Sequence, residues 1–314
     1  MPTDKHFDIL AIGEPMIEFN ETEPALYRQG FGGDTSNFAV AAARQGARTA
    51  YYTRLGDDRF GAMLRALWQA EGIDTSAVQT DPDAHTAVYF VTHGEHGHEF
   101  HYLRAGSAAS RMQSATLPAD LIRGSHILHV SGISQAVSAS ACDAVFSAIN
   151  IAHEAGTRIT YDPNLRLRLW PMERARAVIE ATIPHADVFL PSLDEALALA
   201  DTDSLEAAFD WCARCGARQV VLKCGADGAW VWRRDSRTAK HVPPFRVRPV
   251  DATGAGDCFD GTLAARLVAG DELEDAVRYA NVAAALSTTG YGAVAPIPDH
   301  ATVLVNLARS LLGA

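Results

Sequence analysis

The sequence predicts a doubly wound α/β fold, a mainly parallel sheet flanked by helices, with a small β-sheet lid. Three observations carry this. Short, almost wholly apolar runs alternate with segments of helical period. Such runs suit strands covered on both faces, as in a parallel sheet. A glycine follows most helical segments, where a left-handed C-terminal cap is wanted. Two regions break the alternation and read as added strands.

In chain order, Phe7–Gly13, Ile127–Ser131, Arg158–Asp162, Val188–Leu190 and Gln219–Lys223 are the predicted buried strands. The predicted helices are Ser36–Gln45, Arg59–Glu71, Ser138–Ala155, Glu173–Ile183, Ser204–Cys215, Gly256–Ala269 and Leu273–Ser287. Gly46, Gly72, Gly156, Gly216 and Gly270 stand at their ends. Strand–helix alternation of this kind implies the doubly wound architecture. Met16 to Phe31 is short and irregular, whereas Thr86–Thr92 and Glu99–Arg104 alternate about a polar turn, as a hairpin does. Together they predict a lid from segments near 14–33 and 85–110, within a single domain spanning 1–314. No repeat or Pro/Ser linker marks a boundary.

Composition narrows the function. The 314 residues are 48% hydrophobic and 21% charged, ordinary for a globular chain. Lys and Arg number 27 against 38 Asp and Glu, a net charge of −11. That field repels phosphate backbones, and no dense basic stripe offsets it, so nucleic acid is excluded as a partner. No apolar run approaches the roughly 18 residues of a membrane span, and no secretory signal is visible, so a cytoplasmic protein is expected. Five scattered cysteines do not resemble a disulfide framework. Cys212-Ala-Arg-Cys215 lies in an apolar helical stretch without a second pair and reads as packing. His93, His96, His98 and His101 crowd the hairpin, but nothing completes a metal site around them, and a solvated turn is the plainer reading.

The residues that carry chemistry begin at Asp251-Ala-Thr-Gly-Ala-Gly-Asp257. Small residues leading into a helix place consecutive N–H groups at its N-terminus, an anion nest formed by Gly254, Ala255 and Gly256. Asp257 projects beside that cradle. A carboxylate there is a liability unless it accepts a proton from an attacking hydroxyl. Near its reference pKa of about 3.9 it would be ionised but weakly basic. A second glycine-rich run, Gly30-Phe-Gly-Gly33-Asp34-Thr-Ser-Asn37, opens a helix; Asp34 and Asn37 can bond sugar hydroxyls where Gly33 lets a ligand approach. Neither a Walker A sequence nor a dinucleotide fingerprint is present.

The pairing of these two motifs, with Arg54-Leu-Gly-Asp-Asp-Arg-Phe-Gly61 between them, resembles the PfkB/ribokinase family of sugar kinases from Ile9 to about Gly292. The resemblance implies a ribokinase-like fold with a β-sheet lid and ATP- and Mg²⁺-dependent phosphorylation of a sugar alcohol. It implies Asp257 as catalytic base and Gly254–Gly256 as anion hole. Lys223-Cys-Gly225-Ala-Asp-Gly228 is similar to the family's nucleotide-contacting turn, and Asn281 matches a position bordering adenine. Ser192-Leu-Asp-Glu195 stands in place of an Asn-x-x-Glu motif linked to magnesium, with Glu195 holding metal-bound water.

Within the family, Tyr102-Leu-Arg-Ala-Gly-Ser-Ala-Ala-Ser110 and Asp162-Pro-Asn-Leu-Arg-Leu-Arg-Leu-Trp170 resemble 2-keto-3-deoxygluconate kinases. A sugar acid calls for a cationic fork, which Arg104 and Arg166 can supply. Tyr89 and Tyr102 lie on the flap strands, where their hydroxyls would close over the substrate and exclude water. The expected reaction is therefore ATP-dependent phosphorylation of the terminal hydroxyl of 2-keto-3-deoxy-D-gluconate. The alternatives are a fructokinase, another sugar kinase of the family, or a non-catalytic sugar- or nucleotide-binding regulator. A binding-only protein has no use for Asp257. Exposed lid edges suggest a homodimer or larger homo-oligomer formed through the lid.

Overall fold

The computed structural model describes residues 5–94 and 97–311. The chain opens with β1 (Phe7–Ile12) and leaves the main body for β2 (Met16–Glu23) and β3 (Leu26–Gly32). It returns through β4 (Thr49–Tyr52) and the short β5 (Arg54–Gly56) and β6 (Gln79–Asp81), then leaves again for β7 (Val88–Gly94) and β8 (Gly97–Leu103). Six more strands follow: β9 (Ser125–Ser131), β10 (Arg158–Asp162), β11 (Val188–Phe189), β12 (Gln219–Lys223), β13 (Ala229–Arg233) and β14 (Ala239–Val242).

The main sheet has eight strands in the order β14-β13-β12-β11-β10-β9-β1-β4. Pairing is parallel from β4 to β12, and antiparallel for β13 and β14. Period-two alternation explains why its strands look wholly apolar. Ile9 and Ala11 of β1 face one core, with Phe38, Phe259 and Val277. Leu10 and Ile12 face the other, with Val145, Ile149 and Ile179. Both faces are covered by helices, so neither face can be polar. All five cap glycines have positive φ, between 64° and 98°.

The direction of winding reverses between β1 and β9, since β4 lies on one side of β1 and β9 to β12 on the other. In open α/β sheets ligands bind at the carboxyl ends of strands beside such a switch. Glu14, Asp162 and Lys223 sit at or just past those ends. Helix Ala255–Val268 crosses close to helix Asp34–Arg44 at Gly261, where a Cβ would stand 2.2 Å from the Phe38 carbonyl oxygen. This close approach brings Asn37 and Asp257 together.

The lid is a four-stranded sheet, β3-β2-β7-β8, in which only the β2–β7 pairing is parallel. The stretch read as irregular, Met16 to Phe31, is in fact the hairpin β2–β3. Ile17 and Phe19 alternate with Glu18 and Asn20, but Glu18, on the phase that reads as solvent-facing, is only 3% exposed. The hydroxyl of Tyr89 on β7 donates to Glu18 at 2.5 Å, so the inward carboxyl is hydrogen-bonded. Of the lid histidines, His96 lies outside the described residues, as do the side chains of His93 and His98. Among the described residues no cluster of metal-ligating side chains occurs, and no helix is long and apolar enough to cross a membrane.

Candidate active site

The two glycine-rich motifs, the lid and the ends of β10 and β12 enclose one cleft of about 760 Å³. Of the site residues predicted from sequence, all but Gly228 and Asn281 line it. Gly254 takes φ 74°, and a Cβ on it would stand 2.8 Å from that of Ala293. A side chain is thus excluded on both conformational and steric grounds. The turn is braced from below: Thr253 donates twice to Asp251 Oδ1, at 2.9 and 2.7 Å, and the Gly292 amide donates to Oδ2 at 2.9 Å. The Ala255 amide meets the Ala252 carbonyl at 3.2 Å, closing the turn. That leaves Gly254 and Gly256, which line the cleft at a helix N-terminus where first-turn amides lack intrahelical carbonyls, as a setting suited to an anion.

Asp257 stands in the first turn, half-buried, and accepts from Asn37 Nδ2 at 2.8 Å. Burial and the neighbouring Asp34 and Asp162 push its carboxyl up to about 8, against the pull of Asn37 and Lys223. This differs from an ordinary aspartate. Three acids share one partly dehydrated cleft, a distribution that sequence cannot display. A carboxyl raised this far takes up a proton near neutral pH, as an ordinary aspartate does not. Asp34 itself is bonded to the Thr35 amide at 2.8 Å and to Asn164 Nδ2 at 3.1 Å. Among the described residues the buried Asn37 Oδ1 meets no donor, which leaves an open acceptor beside Asp257.

At the sugar end the predicted cations are not equivalent. Arg104 Nε donates to Glu14 Oε2 at 2.8 Å, with a second contact from Nη2. Ser107 holds the other oxygen of that buried carboxylate at 2.5 Å. Arg166 remains half-exposed at the rim, 3.9 Å from Glu195 and bonded to its neighbour's carbonyl at 3.0 Å. Tyr89 is committed to Glu18, while Tyr102 stays 37% exposed beneath the Arg104 guanidinium, 5.5 Å from its carbon to the ring centre. Glu14 and Glu18 were missed in the sequence because their partners lie 90 and 71 residues away.

On the opposite side, Ser192 caps helix Leu193–Ala200, and Glu195 closes the reciprocal capping box. The Glu195 carboxylate also accepts from the Leu165 amide at 2.8 Å, which fixes its orientation at the cleft wall. Gly225 lines the cleft. Gly228 and Asn281 act instead on the chain after β14: a Cβ on Gly228 would stand 2.3 Å from the Val242 oxygen, and Asn281 Nδ2 donates to Pro243 O at 3.0 Å. Lys223 lies between Asp162 and Asp260, at 3.0 and 2.8 Å. Asp260 also escaped the sequence reading, although a lone acid in the apolar run Cys258–Ala265, three residues after Asp257, is a legible signal.

A phosphate cradle, an adjacent base and a lidded polar cleft suit transfer of a phosphoryl group to a hydroxyl. Residues 7–300 match the model of the pfkB family carbohydrate kinases. The chain belongs to this family. It is 35% identical to Fructokinase-1 of Oryza sativa subsp. japonica, over 94% of this chain and 96% of the relative. It is 31% identical to a 2-dehydro-3-deoxygluconokinase of Thermoproteus tenax, over 97% and 96%. The structure of Vibrio cholerae O395 fructokinase with fructose, ADP and calcium superimposes with a TM-score of 0.89 at 30% identity, covering 97% of this chain and all of that one (100%). The family carries the carbohydrate kinase activity over to this chain, and the fold is ribokinase-like; the sugar is not fixed, since fructokinases and a keto-deoxy acid kinase lie at similar distance.

Proposed function

We propose that this carbohydrate kinase transfers the γ-phosphoryl group of ATP to the terminal hydroxyl of 2-keto-3-deoxy-D-gluconate, giving the 6-phosphate and ADP. The observation that carries the choice of sugar is that guanidinium groups of Arg104 and Arg166 line the same cleft as Asp257. A neutral ketose is recognised by hydroxyl partners alone, whereas a carboxylate calls for cations. One observation favours fructose instead. Arg104 is already paired with the buried Glu14, which leaves Arg166 as the cation better able to meet a carboxylate.

Asn37 holds Asp257 toward the hydroxyl, and Asp257 accepts its proton as the new P–O bond forms. The bonding electrons of the cleaved P–O bond leave with ADP. The helix N-terminus at Gly254–Gly256 meets the charge that gathers on the phosphoryl oxygens. Lid strands β2, β7 and β8 close over the cleft and keep out competing water. Glu195 is a fixed oxygen donor at the cleft wall, as befits magnesium that retains part of its water shell. When bound, the cation would neutralise the polyphosphate.

The test is ADP release with a panel of sugars. Preference for the keto-deoxy acid over fructose by at least about tenfold in kcat/KM is expected, since a lost charge-assisted contact is worth that much. The reverse ratio makes this a fructokinase. Silence with every sugar favours a binding module.

A further inference from the structure

Beneath the anion-binding turn lies a charge cluster that neither the base nor the sugar contacts require. Lys223 ends β12, Asp162 ends β10, and Asp260 stands one turn beyond Asp257 on the helix Ala255–Val268. Their side chains are 13%, 7% and 1% exposed. Lys223 Nζ donates to Asp162 Oδ2 at 3.0 Å and to Asp260 Oδ2 at 2.8 Å. An ammonium has three N–H donors, so one is left over. Nζ also stands 3.8 Å from where a Cβ on Gly256 would lie, within reach of a group seated on the anion-binding turn.

Stability does not account for this arrangement. Dehydrating each ion costs several kcal/mol, and apolar residues of similar volume fill a core as well or better. Nor does one ammonium balance two carboxylates. The Asp162 and Asp260 Oδ2 atoms converge on one buried ammonium, at 3.0 and 2.8 Å, and two carboxyls that share a buried site do not both ionise. Asp162 Oδ1 accepts the Asn164 amide at 2.9 Å, whereas the buried Asp260 Oδ1 meets no N–H or O–H among the described residues. The proton therefore belongs to Asp260. Burial and Asp162 push the Asp260 carboxyl well above the usual range, in keeping with this. Burial works against the Lys223 charge, but Asp162, Asp260 and Glu195 outweigh it and hold the ammonium above its usual range.

We propose that Lys223 is a catalytic residue whose remaining N–H binds an oxygen of the transferring phosphoryl group, with Asp162 and Asp260 as the proton-sharing pair that positions it. The inference rests on the phosphoryl-transfer reading above. Lys223 gives up no proton in the step: Asp257 takes the hydroxyl proton, and ADP takes the electrons of the broken bond. The ammonium meets charge that grows as the phosphoryl group moves between oxygens.

Three variants test this in ATP turnover with sugar, and in the slow ATP hydrolysis without it. Lys223→Met should lower kcat by at least about 100-fold, as loss of a charge-stabilising donor does, with KM for ATP changed less than about threefold. Asp260→Leu should lose a comparable amount, because Lys223 is then held from one side. Asp260→Asn should recover most of that loss, to within about fivefold of the parent, since an amide is neutral like a protonated carboxyl and its oxygen still accepts from Lys223. In Asp260→Asn the infrared band of buried carboxylic acid should lose one component, measured well above pH 8, where Asp257 is ionised and no longer contributes. If Lys223→Met does not fold, the charge-balanced pair Lys223→Met with Asp162→Asn takes its place.

A loss confined to KM for ATP reduces Lys223 to a ground-state contact and overturns the proposal. Equal damage from Asp260→Asn and Asp260→Leu removes the proton-sharing pair. An unaffected Lys223→Met in an enzyme that turns over ATP sinks this inference alone. Absence of any ATP turnover in the parent sinks the kinase mechanism and this inference together.

Discussion

The phosphoryl end of the cleft and its sugar end are built differently. At the phosphoryl end the functional groups sit at the ends of parallel strands and on one helix N-terminus. Their positions follow from local backbone, a glycine turn and the sheet's own winding. At the sugar end, polar side chains from the lid and the loop after β1 meet in pairs: Arg104 with Glu14, Tyr89 with Glu18. There a residue's chemistry depends on its distant partner as much as on its own type. On the proposed reading, reaction type rests on local geometry and specificity on long-range neutralisation.

The sharpest way to break this contrast is Asp257→Asn, which removes the proton acceptor and leaves the nest intact. Turnover should fall by roughly 1,000-fold, within the range ascribed to general bases, while ATP binding changes little. Near-normal kcat would end the base assignment. At the sugar end, Arg104→Ala should cut kcat/KM for the keto-deoxy acid by about 10- to 100-fold and spare any fructose turnover, if a guanidinium meets the carboxylate. Glu14→Gln asks the same question in the other direction. It releases Arg104 from its counter-ion and should raise preference for the acid over fructose. A ratio unmoved by either change would mean that these charges serve only each other.

The raised carboxyl of Asp257 predicts an effect on pH dependence. Below about 8 the free enzyme holds Asp257 protonated, so kcat/KM should climb about tenfold per pH unit and level off above that value. A profile flat across the neutral range would return Asp257 to ordinary behaviour. Stability runs the other way. The folded-state pKa lies above that of the unfolded chain, so the folded form binds the extra proton. Stability is greatest below the ordinary aspartate range and falls as pH rises toward about 8. Asp257→Asn cannot ionise, and its melting temperature at pH 8 should exceed that of the parent.

The sequence made the phosphoryl end legible for a physical reason. Gly254 and Asp257 occupy neighbouring positions in one turn, so residue type and spacing carry the whole arrangement. Strands β10 and β12 were likewise visible with the bounds the structure has, since their interior residues are buried on both faces and no charged residue interrupts them. The lid hairpin was not. Its buried Glu18 looks like solvent-facing polarity until Tyr89 is seen across the sheet. Asn281 shows the same limit from the other side: its identity is visible, but its amide is turned to the Pro243 carbonyl rather than to the cleft. A family motif locates a residue on its helix, and packing decides which way it faces.

The smallest effect concerns how the two ends are joined. Arg168, from the loop after β10, donates to the Phe100 carbonyl of β8 at 2.9 Å, fastening the main body to the lid. The bond is exposed, so it is worth only about 0.5–1.5 kcal/mol. Arg168→Ala should therefore weaken closure without touching the base or the nest. KM for the sugar should rise a few-fold, about the factor that such a free energy represents, and ATP hydrolysis without sugar transfer should rise with it. The fructose-to-acid ratio should stay constant, because a fastening outside the specificity contacts treats both sugars alike. If the ratio moves instead, Arg168 reads the substrate directly, and the cations at the rim recognise the sugar together with Arg166.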